Sequence, residues 1–128
     1  MSALVVDTTV WVDFFRGRSL PRLEQALQDG DVVLPPIVAA ELVSAPLAAG
    51  ERRRLEGFLR ELPLAPTPVD HWFRVGNLRS AAARKGLTVS TPDAHVAQVA
   101  RDLGGVVWSE DQVFARLAAR SLIRRFVP

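Results

Sequence analysis

Acidic side chains occur at several positions where a carboxylate is suited to holding a metal ion. Asp7 directly follows the apolar run Leu4–Val6, and Asp111 comes shortly after the run Val106–Trp108. Asp93 lies in the first turn of a predicted helix. Taken singly, each has an ordinary explanation, because Asp is common at turns and at helix N-termini. The chemistry they suggest depends on whether they belong to one set.

Glu41 is harder to explain as a structural residue. On a helix its neighbours at i−4 and i−3 are Ile37 and Val38, so Glu41 shares the apolar face and is expected to be buried. Burying an unpaired carboxylate is strongly unfavourable, and no Lys or Arg lies between Leu34 and Ala49 to pair with it locally. Two explanations remain open: a cation at this carboxylate, or an Arg partner distant in sequence.

Together the four acids indicate a site with oxygen ligands only. The chain contains no Cys and two His, whereas Zn²⁺ favours sulfur and nitrogen ligands and Mg²⁺ or Mn²⁺ favours oxygen. At about 5 Å and an effective dielectric constant of about 20, each pair of carboxylates repels by roughly 3 kcal/mol. A bound cation or a raised pKa must relieve that repulsion.

Length and charge narrow the class of protein further. The 128 residues suit one domain, predicted to span 1–128, and 48% hydrophobic with 23% charged residues is a globular composition. Lys85 is the only Lys and there is no Tyr, so the pI of about 10.3 overstates a net charge of only +2. A net charge of +2 argues against a protein that binds nucleic acid through a large overall positive charge. Without the four acids, however, the rest of the chain carries a net charge of +6.

No targeting or membrane segment is expected. Residues 1–6 carry no basic leader and the apolar run ends at Asp7, which is too short for a signal peptide. The longest uncharged stretch, 32–40, contains two prolines and is far shorter than the ~20 residues of a membrane span. We therefore expect a cytoplasmic protein that does not associate with membranes.

The elements that position the acids are short apolar strands alternating with helices. This alternation is typical of an α/β domain with a parallel sheet, in which function gathers at the carboxyl ends of the strands. Strands are predicted at 3–6, 32–34, 106–108 and, in the tail, 122–127. A helix capped by Thr8 or Thr9 runs to about Arg16, and others are predicted at 19–28, 37–45, 51–62, 69–85, 91–104 and 111–119.

Four segments match the motifs of a known family in the expected order. They are Leu-Val-Val-Asp-Thr-Thr-Val-Trp-Val-Asp at 4–13, Val-Ala-Ala-Glu-Leu at 38–42, Pro-Asp-Ala-His-Val-Ala at 92–97 and Val-Trp-Ser-Glu-Asp-Gln-Val-Phe at 107–114. With these segments the chain resembles a PIN-domain ribonuclease, in particular the VapC-type toxin of bacterial toxin–antitoxin pairs. The resemblance covers essentially the whole chain.

The resemblance implies a PIN-like fold, a central parallel sheet with helices on both faces, and endonucleolytic cleavage of RNA that depends on Mg²⁺ or Mn²⁺. It assigns the catalytic and metal-binding roles to Asp7, Glu41, Asp93 and Asp111. Thr8 or Ser109 would support them by hydrogen bonds. It also implies a small antitoxin that inhibits the enzyme, and a homodimer.

The chain departs from the family pattern at two positions. Val113 stands where the family often has a further acidic or His residue, which leaves the number of metal ions open. His95 occupies a position that is usually apolar, and we interpret it as an ordinary half-buried His. Asp13 matches an often acidic position one turn along the helix, and its role, like that of Glu110, stays open.

Basic and aromatic residues suggest contacts with RNA and with a partner. Arg79, Arg84 and Lys85 end the helix that precedes Asp93, where they are candidates for gripping the RNA backbone. Cations there also meet the negative end of the helix dipole, so both explanations stay open. The aromatic side chains suit core packing by default, and some of them suit a groove for a partner helix.

Other functions would place acids at similar positions. A housekeeping PIN-type RNA-processing nuclease has the same site. A receiver-like phosphoacceptor domain needs a mid-chain Asp and a late Lys, but no Asp follows the strand at 32–34 and the only Lys is Lys85. A haloacid-dehalogenase-like phosphatase is disfavoured because Thr9 stands where its second Asp belongs. A catalytically silent PIN-like domain conflicts with the complete set of four acids.

Overall fold

A three-stranded parallel sheet forms the centre of the computed structural model, which describes residues 2–128. The strands are β1 (Leu4–Val6), β2 (Val32–Val33) and β3 (Val106–Trp108), in the spatial order β2-β1-β3. In the described part of the chain the helices are α1 (Thr8–Phe15), α2 (Pro21–Asp29), α3 (Pro36–Val43), α4 (Ala49–Arg60), α5 (Val69–Arg84), α6 (Thr91–Leu103) and α7 (Gln112–Ala119).

The central strand fixes the register of the sheet. Leu4 of β1 lies opposite Val32 on one side and Val106 on the other. All three residues of β1 are buried, so both faces of the sheet are covered, as expected for a parallel sheet made of continuous apolar runs. The predicted α/β fold with a central parallel sheet is confirmed.

The predicted fourth strand in the tail is wrong. Only one pair, Val107 and Arg125, has parallel strand geometry there. Arg124 and Arg125 are both exposed, whereas successive residues of a strand packed on a core face opposite sides. On the other edge of the sheet, a single bridge between Leu34 and Leu64 was not predicted.

The N-cap residues of α1 and α6 lie earlier in the chain than the sequence predicted. Asp7, and neither Thr8 nor Thr9, holds the N-cap position of α1. Ser90 caps α6, and its hydroxyl accepts a hydrogen bond from the backbone N–H of Asp93 at 3.3 Å. The hydroxyl groups of Thr8 and Thr9 are therefore free for contacts away from the helix backbone.

A glycine allows β3 to begin directly beside β1. A Cβ atom at Gly105 would lie 2.3 Å from the carbonyl oxygen of Ala3, which is too close for any side chain. The same carbonyl accepts a hydrogen bond from Val106 N at 3.0 Å. Among the described helices, none combines the length and the apolar character needed to cross a bilayer.

Candidate active site

Asp7 lies at the carboxyl end of the central strand and is 5% exposed. Its Oδ2 accepts hydrogen bonds from the hydroxyl of Ser109 at 2.8 Å and from that of Thr9 at 3.2 Å. A buried carboxylate needs such partners, because water no longer solvates it. The two hydroxyls therefore fix Asp7 between the start of α1 and the end of β3.

Asp111 reaches the same edge of the sheet from the other strand. Its backbone N–H donates to Ser109 Oγ at 2.9 Å. Its Oδ1 accepts from Val113 N at 3.1 Å and so caps α7, which is the ordinary role considered for this residue. Within residues 2–128, Oδ2 has no hydrogen-bond partner, so the cap leaves one carboxylate oxygen for another ligand.

Glu41 is exposed, and the prediction that it is buried on the apolar face of its helix is wrong. Helix α3 buries Val38 and Leu42, and the rotation of about 100° per residue turns Glu41 out of that stripe. Its Oε1 accepts a hydrogen bond from Thr8 Oγ1 at 2.8 Å. The partner of Glu41 is thus a hydroxyl at the start of α1, beside Asp7.

Asp93 shows that the four acids share one region. Burial raises the pKa of the Asp93 carboxyl, and the charges of Asp7, Asp111 and Glu41 raise it further, while the Ser90 hydroxyl acts in the opposite sense. Carboxylates influence each other in this way only when they are close in space. The tertiary structure therefore brings four acids that are up to 104 positions apart to one edge of the sheet.

The chemistry of these donors fits a hard divalent cation. In the described part of the chain, no three His, Cys, Asp or Glu side chains form a group that could by itself hold a metal ion. Mg²⁺ usually keeps several of its waters and is held by one or two carboxylates, so an open set of donors suits it. Asp7 and Asp93 are the more enclosed members, and Glu41 and Asp111 lie exposed at the rim.

Two of the three basic residues proposed to contact RNA also donate hydrogen bonds within the protein. Arg79 Nε donates to the carbonyl of Val89 at 2.8 Å, which anchors the segment before α6. Lys85 Nζ donates to the carbonyl of Arg120 at 3.3 Å, and Arg120 Nε donates to that of Lys85 at 3.1 Å. Arg84 is exposed.

A buried polar chain lies behind Asp93, and the sequence did not indicate it. His71 Nδ1 lies 2.7 Å from Asp102 Oδ2, and His71 Nε2 lies 2.8 Å from His95 Nδ1. Both rings are 0% exposed, so His95 is fully buried instead of half-buried. Trp72 stacks on His95, with ring centroids 4.7 Å apart. This chain joins α5 to α6.

The number of protons on Asp102, His71 and His95 decides which of their atoms donate hydrogen bonds and which accept them. Partial burial acts against it, but hydrogen bonds from Arg74, His71 and Gln98 lower the pKa of Asp102 to about 2, so its carboxylate is charged. With neutral rings, His71 donates to Asp102 and accepts from His95. His95 Nε2 then has no partner among residues 2–128. Burial and His71 lower the pKa of His95 to about 4, although Asp102 acts oppositely.

Thr9 and Arg18 contact residues of the site, although the sequence did not assign them to it. Thr9 Oγ1 lies 3.3 Å from Ser109 Oγ and accepts a hydrogen bond from Glu110 N at 3.1 Å, in addition to its contact with Asp7. Arg18 bridges Asp13 and Glu110. The adjacent residues Thr8 and Thr9 could have indicated such a contact. A helix has only one N-cap residue, so at least one of the two hydroxyl groups is left for another partner.

Comparison with protein families gives a match along most of the chain. The family described as "PIN domain" matches residues 4–120. Among curated proteins, none matches the sequence.

Solved structures with the same fold come from several bacteria. A DNA-bound VapBC from Salmonella typhimurium is 23% identical, with 98% of each chain covered and a TM-score of 0.81. VapBC2 from Rickettsia felis, bound to a promoter DNA fragment, is 17% identical, with 97% of each chain covered and a TM-score of 0.76. VapBC-5 from Mycobacterium tuberculosis, a toxin–antitoxin system, is 25% identical, covering 98% of this chain and 100% of that one, with a TM-score of 0.67.

Removing the charge of Asp93 is expected to stabilise the metal-free protein. Asp93→Asn relieves both the burial of the carboxylate and its repulsion by three neighbours. We expect a higher melting temperature, measured in chelator by calorimetry at pH 7. Asp7→Asn is the matched comparison and should gain less, because two hydroxyls stabilise that carboxylate. A lower melting temperature for Asp93→Asn would contradict the predicted repulsion.

Acid is expected to destabilise the protein through His95. Its folded pKa of about 4 lies below the ordinary value of 6.5, so the unfolded chain binds the proton first. Stability is complete above pH 6.5 and falls by up to about 3 kcal/mol as the pH drops towards 4. Asp93 acts in the opposite sense, because its raised pKa stabilises the fold as that carboxyl takes up its proton.

The comparison that isolates His95 is with His95→Asn, whose amide keeps an N–H for His71 but does not titrate. Denaturant unfolding of both proteins between pH 4 and 7.5 gives the difference directly. We expect the wild-type protein to lose stability relative to the variant across this range. Parallel pH curves would show that His95 is not the titrating group.

Proposed function

The chain belongs to the PIN domain family, a family of nucleases, and from this premise we propose that it is an Mg²⁺-dependent endoribonuclease acting as the toxin of a toxin–antitoxin pair. The observation that carries this proposal is the hydrogen-bonded arrangement of Asp7, Glu41 and Asp111 around Thr8, Thr9 and Ser109. The charges of these three acids also act on Asp93. Mn²⁺ has the same ligand preferences and is expected to substitute.

Each residue of the site has a separate role in the proposed hydrolysis. A divalent cation, when bound, supplies a nucleophilic water and relieves charge on the leaving oxygen. Asp7 is the central ligand in this scheme, because Thr9 and Ser109 hold its carboxylate in one orientation. Glu41 and Asp93 are the ligands on either side of it. Asp111 either holds a water molecule or is the fourth carboxylate ligand. Thr8 keeps Glu41 turned towards the site.

Binding of the substrate is assigned to cations near the end of α5. Arg84 and Lys85 are exposed beside the loop that leads into α6, and Arg79 is anchored to that loop. Arg suits phosphate because its planar guanidinium donates two hydrogen bonds at once. The structure supports a general base role for neither His: both rings are buried and bonded to each other.

The toxin assignment draws support from the solved structures with the same fold. Those from Salmonella typhimurium, Rickettsia felis and Mycobacterium tuberculosis are VapBC complexes, the last named as a toxin–antitoxin system. A housekeeping RNA-processing nuclease of the same family is the alternative, and an adjacent short gene for a DNA-binding antitoxin would favour the toxin. Family membership removes the receiver-like alternative.

Cleavage of RNA tests the proposed activity. Purified protein is incubated with structured and unstructured RNAs and with single-stranded DNA of the same sequence, in Mg²⁺ or in chelator. We expect RNA cleavage only with Mg²⁺ and a loss of at least about 100-fold in Asp93→Asn, because a ligand is removed. Arg53→Ala, at an exposed position on α4, is the control. Cleavage that persists in chelator or in Asp93→Asn would refute a metal-dependent nuclease.

A groove between α1, α3 and α4 suits a helical segment of the antitoxin. It has a volume of about 570 Å³, and its apolar lining includes Phe14, Phe15, Leu55 and Phe58. Phe15 is 43% exposed and stacks on the buried Trp11, with ring centroids 5.7 Å apart. An amphipathic helix placed in such a groove would cover this ring.

Substitution of Phe15 tests this part of the proposal. Phe15→Ala is expected to weaken binding of the antitoxin encoded beside this gene by about tenfold or more, since aromatic anchors dominate such interfaces. Phe73→Ala, at a 64% exposed ring on α5, is the matched control. Binding is measured by calorimetry on the purified pair, and equal affinities for the two variants would place the antitoxin elsewhere. A homodimer remains a prediction from the resemblance.

A further inference from the structure

Arg18 forms a bridge between two acids at the rim of the candidate site. Its Nη1 donates to Asp13 Oδ2 and to Glu110 Oε1, each at 2.7 Å. The side chain of Arg18 is 55% exposed, and those of Asp13 and Glu110 are 30% and 48% exposed. The bridge thus joins α1, which starts beside Asp7, to the segment after β3 that carries Asp111.

The end of α1 places Arg18 at this position. Gly17 has φ +90°, a left-handed conformation that favours glycine. Gly17 N donates to the carbonyl of Phe14 and Arg18 N donates to that of Asp13, both at 3.1 Å. This pair of bonds is a Schellman motif, which turns the chain back over the last turn of the helix. Arg18 is therefore held beside Asp13 by the backbone as well as by its side chain.

The other end of the bridge belongs to the segment that forms the site. Glu110 stands between Ser109, which donates to Asp7, and Asp111. Its own backbone N–H donates to Thr9 at 3.1 Å. The segment 109–111 is thus attached to α1 twice: by hydroxyls on the inside, and by Arg18 on the exposed side.

We propose that Arg18 is a positioning residue: by bridging Asp13 and Glu110 it holds the segment 109–111 against α1 and so sets the distance between the carboxylates of Asp7 and Asp111. This inference rests on the proposed function, because it concerns the same acidic site. It assigns a role to Asp13 and Glu110, which anchor Arg18 instead of holding a metal ion.

Direct contact of Arg18 with substrate is the competing role. One guanidinium and two carboxylates leave the bridge with a net charge of −1, which repels a phosphate. Nη1 of Arg18 already donates to both carboxylates, so this guanidinium is engaged within the protein. The composition of the bridge favours positioning.

The sign of the effect on metal binding separates positioning from simple electrostatics. Removing the positive charge of Arg18 makes the site more negative, which by itself strengthens the attraction of a cation. Loss of positioning weakens metal binding, because groups that orient ligands typically contribute 10–100-fold in affinity. A lower affinity in a variant that has lost a positive charge therefore identifies positioning.

The experiment compares Arg18→Met with the matched Arg53→Met and with Arg18→Lys. Arg18→Met keeps the aliphatic stem at an exposed position, and Arg18→Lys keeps a charge with three N–H donors that can contact both carboxylates. Mn²⁺ binding is measured without RNA by calorimetry and by the rise in melting temperature that Mg²⁺ produces. Cleavage then gives kcat, the KM for RNA and the Mg²⁺ concentration at half-maximal rate.

We expect Arg18→Met to bind Mn²⁺ about tenfold more weakly, with the half-saturating Mg²⁺ concentration raised in step and the KM for RNA at saturating Mg²⁺ nearly unchanged. Arg18→Lys should recover most of the affinity, and Arg53→Met should match the wild type. Unchanged or tighter Mn²⁺ binding in Arg18→Met would overturn the inference. So would a raised KM for RNA with metal binding intact, which is the signature of a phosphate contact.

Failure of this inference is distinguishable from failure of the proposed function. The binding and melting measurements need no RNA, so they report on Arg18 even if the substrate assignment is wrong. If the wild type cleaves RNA and Arg18→Met binds Mn²⁺ like Arg53→Met, only the positioning role is refuted.

Discussion

Repulsion between carboxylates at one edge of the sheet is the constraint on which the rest of this structure depends. Burial raises the pKa of Asp93, and the charges of Asp7, Asp111 and Glu41 raise it further, so bringing these carboxylates near one another works against folding. The central strand β1, which ends at Asp7, is buried on both faces. Packing around this strand holds Asp7 in place and offsets the unfavourable charge.

Hydroxyl groups hold two of these carboxylates, those of Asp7 and Glu41, in defined orientations. Thr8, Thr9 and Ser109 bond to Glu41 or Asp7 at distances between 2.8 and 3.2 Å. They connect α1, α3 and β3 without adding charge. A neutral donor stabilises a carboxylate while leaving its charge available to a ligand, whereas an Arg partner would neutralise it. The only guanidinium bridge at this rim among the described residues, Arg18, contacts acids outside the set of four.

Much of the basic character of the chain serves the fold. The guanidinium groups of Arg52, Arg79, Arg101, Arg120 and Arg124 donate to backbone carbonyls. Arg74 binds Asp102, whose carboxylate orders the buried pair of His71 and His95. The excess of +6 that remains without the four acids is therefore not all available to a polyanion.

The order of the three strands and seven helices followed from the sequence, because it depends on local features such as apolar runs and helix caps. Whether Glu41 is buried, which hydroxyl contacts which acid, and what His95 bonds to were decided only by the tertiary structure. Glu41 shares a helix with buried residues, but α3 packs through Val38 and Leu42 and leaves Glu41 exposed. His71 and Asp102 are 31 residues apart, and no local pattern marks their contact. Packing determines such pairs, since it fixes the orientation of one element against another.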